Sequence, residues 1–145
     1  MANKILKGVS PMAIKFMNEK HEERYNEILA RMGKPDVYRK SAAYLITLDS
    51  ECYKHIDSLY DFDRNEIKPF GALEMAWQTG TSVHTTRLIF NLWNGCSTDF
   101  DREGEKVKDS ERYYSAEHIF SSCLGYWYFE AIKLRYPRLA EGVEE

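Results

Sequence analysis

The stretch SAEHIFSSCLGYWYFEAIKLRYP, residues 115–137, decides the fold. Ser115 can cap a helix and Pro137 cannot continue one, so the spacing predicts a single long helix between them. Ala116, Ile119, Phe120, Cys123, Leu124, Tyr126, Trp127, Tyr128, Phe129, Ala131, Ile132 and Leu134 cover nearly its whole circumference. A helix apolar all round is central in a core or shared with a partner. The expectation is a central, aromatic-rich C-terminal helix. A homodimer through Tyr126, Trp127, Tyr128 and Phe129 is the sharper alternative.

Upstream, helical periods continue. Ser10-Pro11 fits a cap followed by proline at the first helical position, and Ile14, Met17, His21, Tyr25, Ile28 and Met32 then recur at three- and four-residue steps. Gly33 and Pro35 end that helix. Asp36 can cap a second helix with Val37, Ala42, Leu45 and Leu48 inward, and Asp49 a third with Cys52, Ile56, Leu59 and Tyr60 inward. Residues 61–68 read as a loop, Pro69 opens a short helix to about Gln78, and Thr81 or Ser82 caps a helix that Gly95 stops. No stretch sustains period-two alternation. The fold class is therefore all-α, one compact domain of five to six helices over residues 1–145. Residues 1–9 form a short arm, 96–114 an exposed charged loop, and 138–145 an acidic tail.

The chain has 145 residues, enough to bury roughly 68–70% of its unfolded surface without disulfide or metal. Its 20 aromatics can fill that core, and its 30% charged residues are too diluted by them for a disordered chain. A net charge of −3 argues against a nucleic-acid coat. Cys52, Cys96 and Cys123 are odd in number and widely spaced, which points to reduced thiols and a cytoplasmic protein. The longest charge-free apolar run, Ile119 to Phe129, is too short for a membrane span of about 20 residues.

The segment Trp77-Gln78-Thr79-Gly80-Thr81 is followed by His84, Arg87, Asn91 and Asn94, which share one helical face. Two readings compete for that face. In the structural one, Arg87 forms a buried pair with Glu130, another isolated charge among apolar neighbours. In the functional one, Arg87 and His84 bind an anion, aided by free N–H groups at Thr81–Val83. Asn91 and Asn94 would then read amide or base edges, and Trp77 or Trp93 would stack.

Metals are not expected. Asp99-Phe-Asp101-Arg-Glu103-Gly104 starts like a calcium loop but puts Lys106 and Ser110 where position 8 and the bidentate Glu belong. The loop at Asp61-Phe-Asp63-Arg64 repeats its opening and lacks the glycine, so both read as solvated acidic loops. Cys52 and His55 have no second ligand pair at zinc spacing. His21, on an apolar stripe, reads as a satisfied core histidine. No cofactor motif is present: there is no Gly-rich phosphate loop and no nucleophile elbow.

Phe16-x-x-x-x-His21, Trp77-Gln-Thr-Gly-Thr81, Arg87-Leu-Ile-Phe-Asn-Leu-Trp-Asn-Gly95 and Phe129-Glu-Ala-Ile-Lys-Leu-Arg-Tyr-Pro137 together resemble a family of small proteins of unknown function. That family is associated with Firmicutes, their phages and prophages, and the resemblance spans residues 14–137. It implies a phage or mobile-element accessory protein and carries no catalytic residues. By analogy, such proteins counter host defence. The leading expectation is a non-enzymatic binding protein that sequesters a nucleotide-like signal on Trp77, Gln78, Thr79, Thr81, His84, Arg87, Asn91, Trp93, Asn94 and Glu130. A second reading is a direct, anti-CRISPR-like inhibitor of a host defence protein, using the 96–114 loop. A third is a small nucleotide hydrolase with His84 or Glu130 as general base. Nucleic acid and membrane are not expected partners.

Overall fold

Five of the expected helix ends are built as the sequence specifies. In the computed structural model, which describes residues 13–141, α1 (Glu19–Met32) closes on Gly33, left-handed at φ 76°. Asp36 caps α2 (Val37–Leu48) by accepting from Arg39 N, and Asp49 caps α3 (Ser50–Lys54) by accepting from Glu51 N and Cys52 N. Gly95 closes α4 (Ser82–Asn94), and Ser115 caps α5 (Ala116–Ile119) by accepting from His118 N. The chain ends in α6 (Gly125–Arg135) and the single turn α7 (Pro137–Ala140). The described residues are thus mostly helical and form one compact domain of seven α-helices.

Helix α2 takes the central place. Ser41 to Leu48 are eight consecutive buried residues, and α2 packs against α1, α4 and α6. It is central because its small and aliphatic side chains, Ala42, Ala43, Leu45 and Ile46, let three helices approach it at once. The C-terminal helix does not hold that position. It breaks at residues 120–124, where Ser122 Oγ accepts from Leu124 N and Ser121 Oγ donates to His118 O. These serines offer the backbone an alternative to the helical ladder. Beyond the break Tyr126 is 66% and Phe129 56% exposed, while Tyr128 is completely buried. Tyr128 therefore belongs to this chain's own core and cannot serve a dimer contact.

Other boundaries also move. α1 starts at Glu19 with Asn18 as its cap, so Ile14 and Met17 lie on an irregular strap instead; Ser10 and Pro11 fall outside the described residues, as do the 1–9 arm and residues 142–145. Three side chains hold the strap. Glu130 accepts from Lys15 N at 2.8 Å, Tyr44 donates to Lys15 O at 2.8 Å, and His21 Nδ1 accepts from Met17 N at 3.1 Å. His21 must then carry its proton on Nε2, which faces Tyr44 O at 3.0 Å. His21 is the satisfied core histidine the sequence suggests.

Between α3 and α4 a minimal hairpin replaces the expected loop. β1 (Tyr60–Asp61) and β2 (Glu66–Ile67) pair antiparallel, with Tyr60 opposite Ile67. Strands of two residues are too short to show alternation. The helix expected from Pro69 shrinks to one 3-10 turn, Ala72–Glu74. Residues 96–114 are not simply exposed: Thr98, Asp99 and Ser110 are buried, and Phe100 bridges Phe70 and Lys106. No helix of the described residues is long and apolar enough to cross a membrane.

The break before α6 depends on close approach. A Cβ at Gly125 would stand 2.8 Å from Phe120 O. Gly125→Ala is expected to destabilise by roughly 1–3 kcal/mol, as overpacking does. Gly80→Ala, with nothing within 4 Å, should leave the melting temperature level or slightly raised. Paired thermal melts check both.

Candidate functional site

The motif Trp77–Ser82 builds a lock on the start of α4. Gln78 Nε2 donates to Ala72 O and Thr86 Oγ1, and its Oε1 accepts from Ser82 Oγ at 2.5 Å. Ser82 N donates to Thr79 Oγ1 and Val83 N to Thr79 O. The helix-start N–H groups at Ser82 and Val83 are therefore taken, and the expected anion site there does not form. Trp77 stacks flat on His55, centroids 4.7 Å apart and planes within 2°, with its indole N–H buried and without a partner. Thr79 and Thr81 line a separate cleft of about 340 Å³, where Thr81 Oγ1 lies 3.7 Å from Cys123 Sγ.

A second polar seam, which sequence reasoning missed, runs beside the lock. Thr85 Oγ1 donates to Asp49 Oδ2 at 3.0 Å and contacts Tyr128 OH at 2.7 Å, and Tyr128 OH lies 3.0 Å from Ser122 Oγ. Thr85 gives its one proton to Asp49 and Tyr128 OH donates to Ser122 Oγ, so the Tyr128 hydroxyl sits between two oxygens, Thr85 Oγ1 and Ser122 Oγ, with one proton to give. Burial pushes the Tyr128 phenol up to about 12, which keeps that donor protonated. The signal available in sequence was Asp49 as a cap; its second oxygen carried no local mark.

Arg87 does not meet Glu130. Its Nε and Nη2 donate to Asp99 Oδ1 and Oδ2 at 3.0 and 2.9 Å, a buried bidentate pair. Tyr114 OH also donates to Asp99, at 2.8 Å, and the Tyr113 ring lies 4.5 Å from the guanidinium. Burial, with the Asp99 charge beside it, holds the Tyr114 phenol far above its usual range. Glu130 instead accepts from Lys15 N and pairs with Lys133 at 3.1 Å. The acidic run around Asp99 is thus not wholly solvated. Asp101 Oδ1 accepts from Glu103 N and Glu105 N, its own loop, and among the described residues no cluster of three ligands could hold a metal.

His84 is half-buried, with Nδ1 buried and unpartnered. Burial first, then the Arg87 and His118 charges, lower its pKa. Asn91 donates to Cys96 O and Asn94 accepts from Cys96 N, so both amides help to close α4. Of the ten expected site residues, Thr79 and Thr81 line the cleft of about 340 Å³, and Trp93 and Asn94 line two larger ones. Thr81 and Asn94 stand at opposite ends of α4, about 20 Å apart at 1.5 Å per residue, so one pocket cannot hold both sets.

At the C-terminal end of α4 two clefts adjoin. One, about 650 Å³, is lined by Asp61, Arg64, Glu66, Ile67, Lys68, Pro69, Phe70, Trp93 and Asn94. The other, about 480 Å³, is lined by Tyr38, Trp93, Asn94 and Arg135. They share Trp93 and Asn94 and together make one groove. Phe70 (56% exposed) and Tyr38 (40%) flank it. Trp93 packs against Tyr60 and Tyr38, centroids 5.8 and 6.1 Å away. The hairpin wall is pinned by Arg39, which donates to Asp36 Oδ2 and to Asn65 Oδ1 and O, while Asn65 Nδ2 donates to Met32 O. Asn65 suits that turn because its φ of 59° lies in the left-handed region. Phe70 and Tyr38 carry no mark in the sequence, and Arg135 reads there only as a basic residue near a helix C-terminus, because each comes from a different element.

Two outcomes test this geometry. Asp99→Ala leaves Arg87 buried and unpaired, and should cost about 3–5 kcal/mol in urea unfolding, against less than half of that for Glu130→Gln. Acid should also destabilise the fold. Burial lowers the pKa of both His21 and His84 below the ordinary 6.5. Above 6.5 neither state binds the extra protons; as pH falls below it the unfolded chain takes them up first, so stability drops until the folded rings protonate. Unfolding midpoints at about pH 7 and about pH 5 measure the fall, and His84→Gln should reduce it.

No curated protein and no solved structure matches this chain. A family profile does, over residues 12–145, nearly the whole chain. The chain belongs to that family, DUF6075, a family of unknown function.

Proposed function

We propose that this protein is a non-enzymatic binding domain that holds a segment of a protein partner in the groove across the C-terminal end of α4. The observation that carries this reading is the pair of adjoining clefts sharing Trp93 and Asn94, flanked by the exposed rings of Phe70 and Tyr38. Aromatic side chains on a rigid scaffold anchor protein interfaces, since they bury much area for little lost entropy. A mixture of Arg64, Lys68, Asp61 and Glu66 on one wall suits a peptide better than a phosphate ester.

The nucleotide-sequestering alternative has less support. Arg87 is neutralised by Asp99, the first N–H groups of α4 are bound, and the groove lies at the electronegative end of that helix. Hydrolysis would need His84 or Glu130 beside a cleft, and neither lines the groove. A domain that acts by occupying a partner fits the role of a phage or mobile-element accessory protein that blocks a host defence complex.

Random-peptide display on the folded protein supplies probes, and amide NMR shifts locate them. Selected peptides should perturb Phe70, Asn94 and Gly95, and Phe70→Ser should weaken them about tenfold, the size of one interface anchor. Failure to select any peptide, or ATP or a cyclic dinucleotide perturbing those amides, overturns the proposal.

A further inference from the structure

Arg135 stands at the end of the groove beyond Tyr38. Its Nε donates to Leu92 O at 2.6 Å, which ties the guanidinium to the last turn of α4. Its Cζ lies 4.3 Å from the Tyr38 ring centroid and 4.6 Å from that of Tyr136. Among the described residues it has no carboxylate partner, unlike Arg39, paired with Asp36, and Arg87, paired with Asp99. Rings on it displace water and hold the planar fork in place while leaving its terminal nitrogens without a counter-charge. Asn94 is similar on a smaller scale: its Oδ1 accepts from Cys96 N, and its Nδ2 has no partner among the described residues.

We infer that the occupant of the groove is an extended peptide segment carrying an Asp or Glu side chain, which accepts a forked pair of hydrogen bonds from Arg135. This rests on the reading of the groove as a protein-binding site and adds the chemistry of the ligand. A lone guanidinium matches a side-chain carboxylate in fork geometry, whereas a chain-terminal carboxylate is ordinarily captured by a nest of backbone N–H groups. The Arg135 Cζ and the Trp93 ring centroid are at most about 10 Å apart, through the Tyr38 ring. An extended chain advances about 3.3–3.6 Å per residue, so the acid stands within three residues of the side chain seated on Trp93. The Asn94 amide donates to a peptide carbonyl between them.

The test uses peptides selected by random display on the wild-type protein, acetylated and amidated so that neither end is charged. Selected sequences should be enriched in Asp or Glu within three residues of an aromatic, proline or leucine. Replacing that acid by Asn or Gln should weaken binding to wild type at least tenfold. Arg135→Gln should weaken the acidic peptide by a similar factor and leave the neutral one within twofold, as a double-mutant cycle requires of a direct pair. Arg135→Lys keeps the charge without the fork and should recover only part of the loss.

Equal weakening of acidic and neutral peptides by Arg135→Gln would make Arg135 a scaffold residue and overturn the carboxylate assignment, while the groove reading would stand. Tighter binding of the free-acid peptide than of its amide would overturn the side-chain assignment too. If Phe70→Ser leaves every selected peptide unaffected, the groove itself fails, and that outcome is separate from both.

Discussion

A guanidinium buried in an apolar helix has to be neutralised, and much of this molecule follows from how Arg87 is. Breaking a buried pair is far more costly than the net gain of forming it, so Asp99 is fixed wherever Arg87 is fixed. Asp99 draws residues 96–114 onto α4, with Ser110 Oγ holding its backbone N–H at 2.9 Å. The next residue, Phe100, then reaches Phe70: its carbonyl accepts from Gly71 N at 2.9 Å and the two rings sit 5.8 Å apart. Gly71 and Gly104 both have positive φ, and a Cβ at either would collide with this contact, at Arg102 or at Phe70. The ion pair therefore shapes the groove wall at a distance, through a loop that looks mostly solvated.

The polar groups beneath α4 obey the same constraint through hydroxyls and amides. Asp49, Thr85, Tyr128 and Ser122 form one hydrogen-bonded chain, and Gln78, Ser82, Thr86 and Thr79 another. Buried hydroxyls are tolerable only when each donor is used, and satisfied networks of this kind favour a single packing over alternatives. They also explain why α6 must start afresh at Gly125, since the break presents Ser122 to the Tyr128 hydroxyl.

What was legible in the sequence is what depends on near neighbours. Gly33, Asp36, Asp49, Gly95 and Ser115 mark their ends because capping is settled within four residues. The all-round apolarity of residues 116–134 was real, yet it described two helices with a turn between them. Ser121, Ser122 and Gly125 are the signal for that turn, masked by the apolar residues around them. The partner of Arg87 is hidden from the sequence for a physical reason. Isolation among apolar residues made Glu130 look buried, which it is, but its counterpart is the backbone of the strap and Lys133. Asp99 lies in an acidic run where no local feature distinguishes the one carboxylate that turns inward. The groove was legible only at Trp93 and Asn94, because Phe70, Tyr38 and Arg135 meet there through tertiary packing alone.

The two ends of α4 consequently differ in what they can bind. A helix N-terminus favours anions, but here Thr79, Gln78 and Ser82 already occupy it, and the cleft beside it is bordered by Asp49 and Glu51. The C-terminal end disfavours anions through its free carbonyls. Arg135 offsets this locally by binding Leu92 O, leaving one positive edge between aromatic rings. A single carboxylate can sit on that edge, flanked by apolar surface from Tyr38 and Trp93. A triphosphate would bring several charges to the same place, against the helix dipole and the carboxylates of Asp61 and Glu66. The electrostatics of one helix thus favour a peptide over a nucleotide as the ligand proposed for this surface, and they do so without any residue that the sequence marks as catalytic.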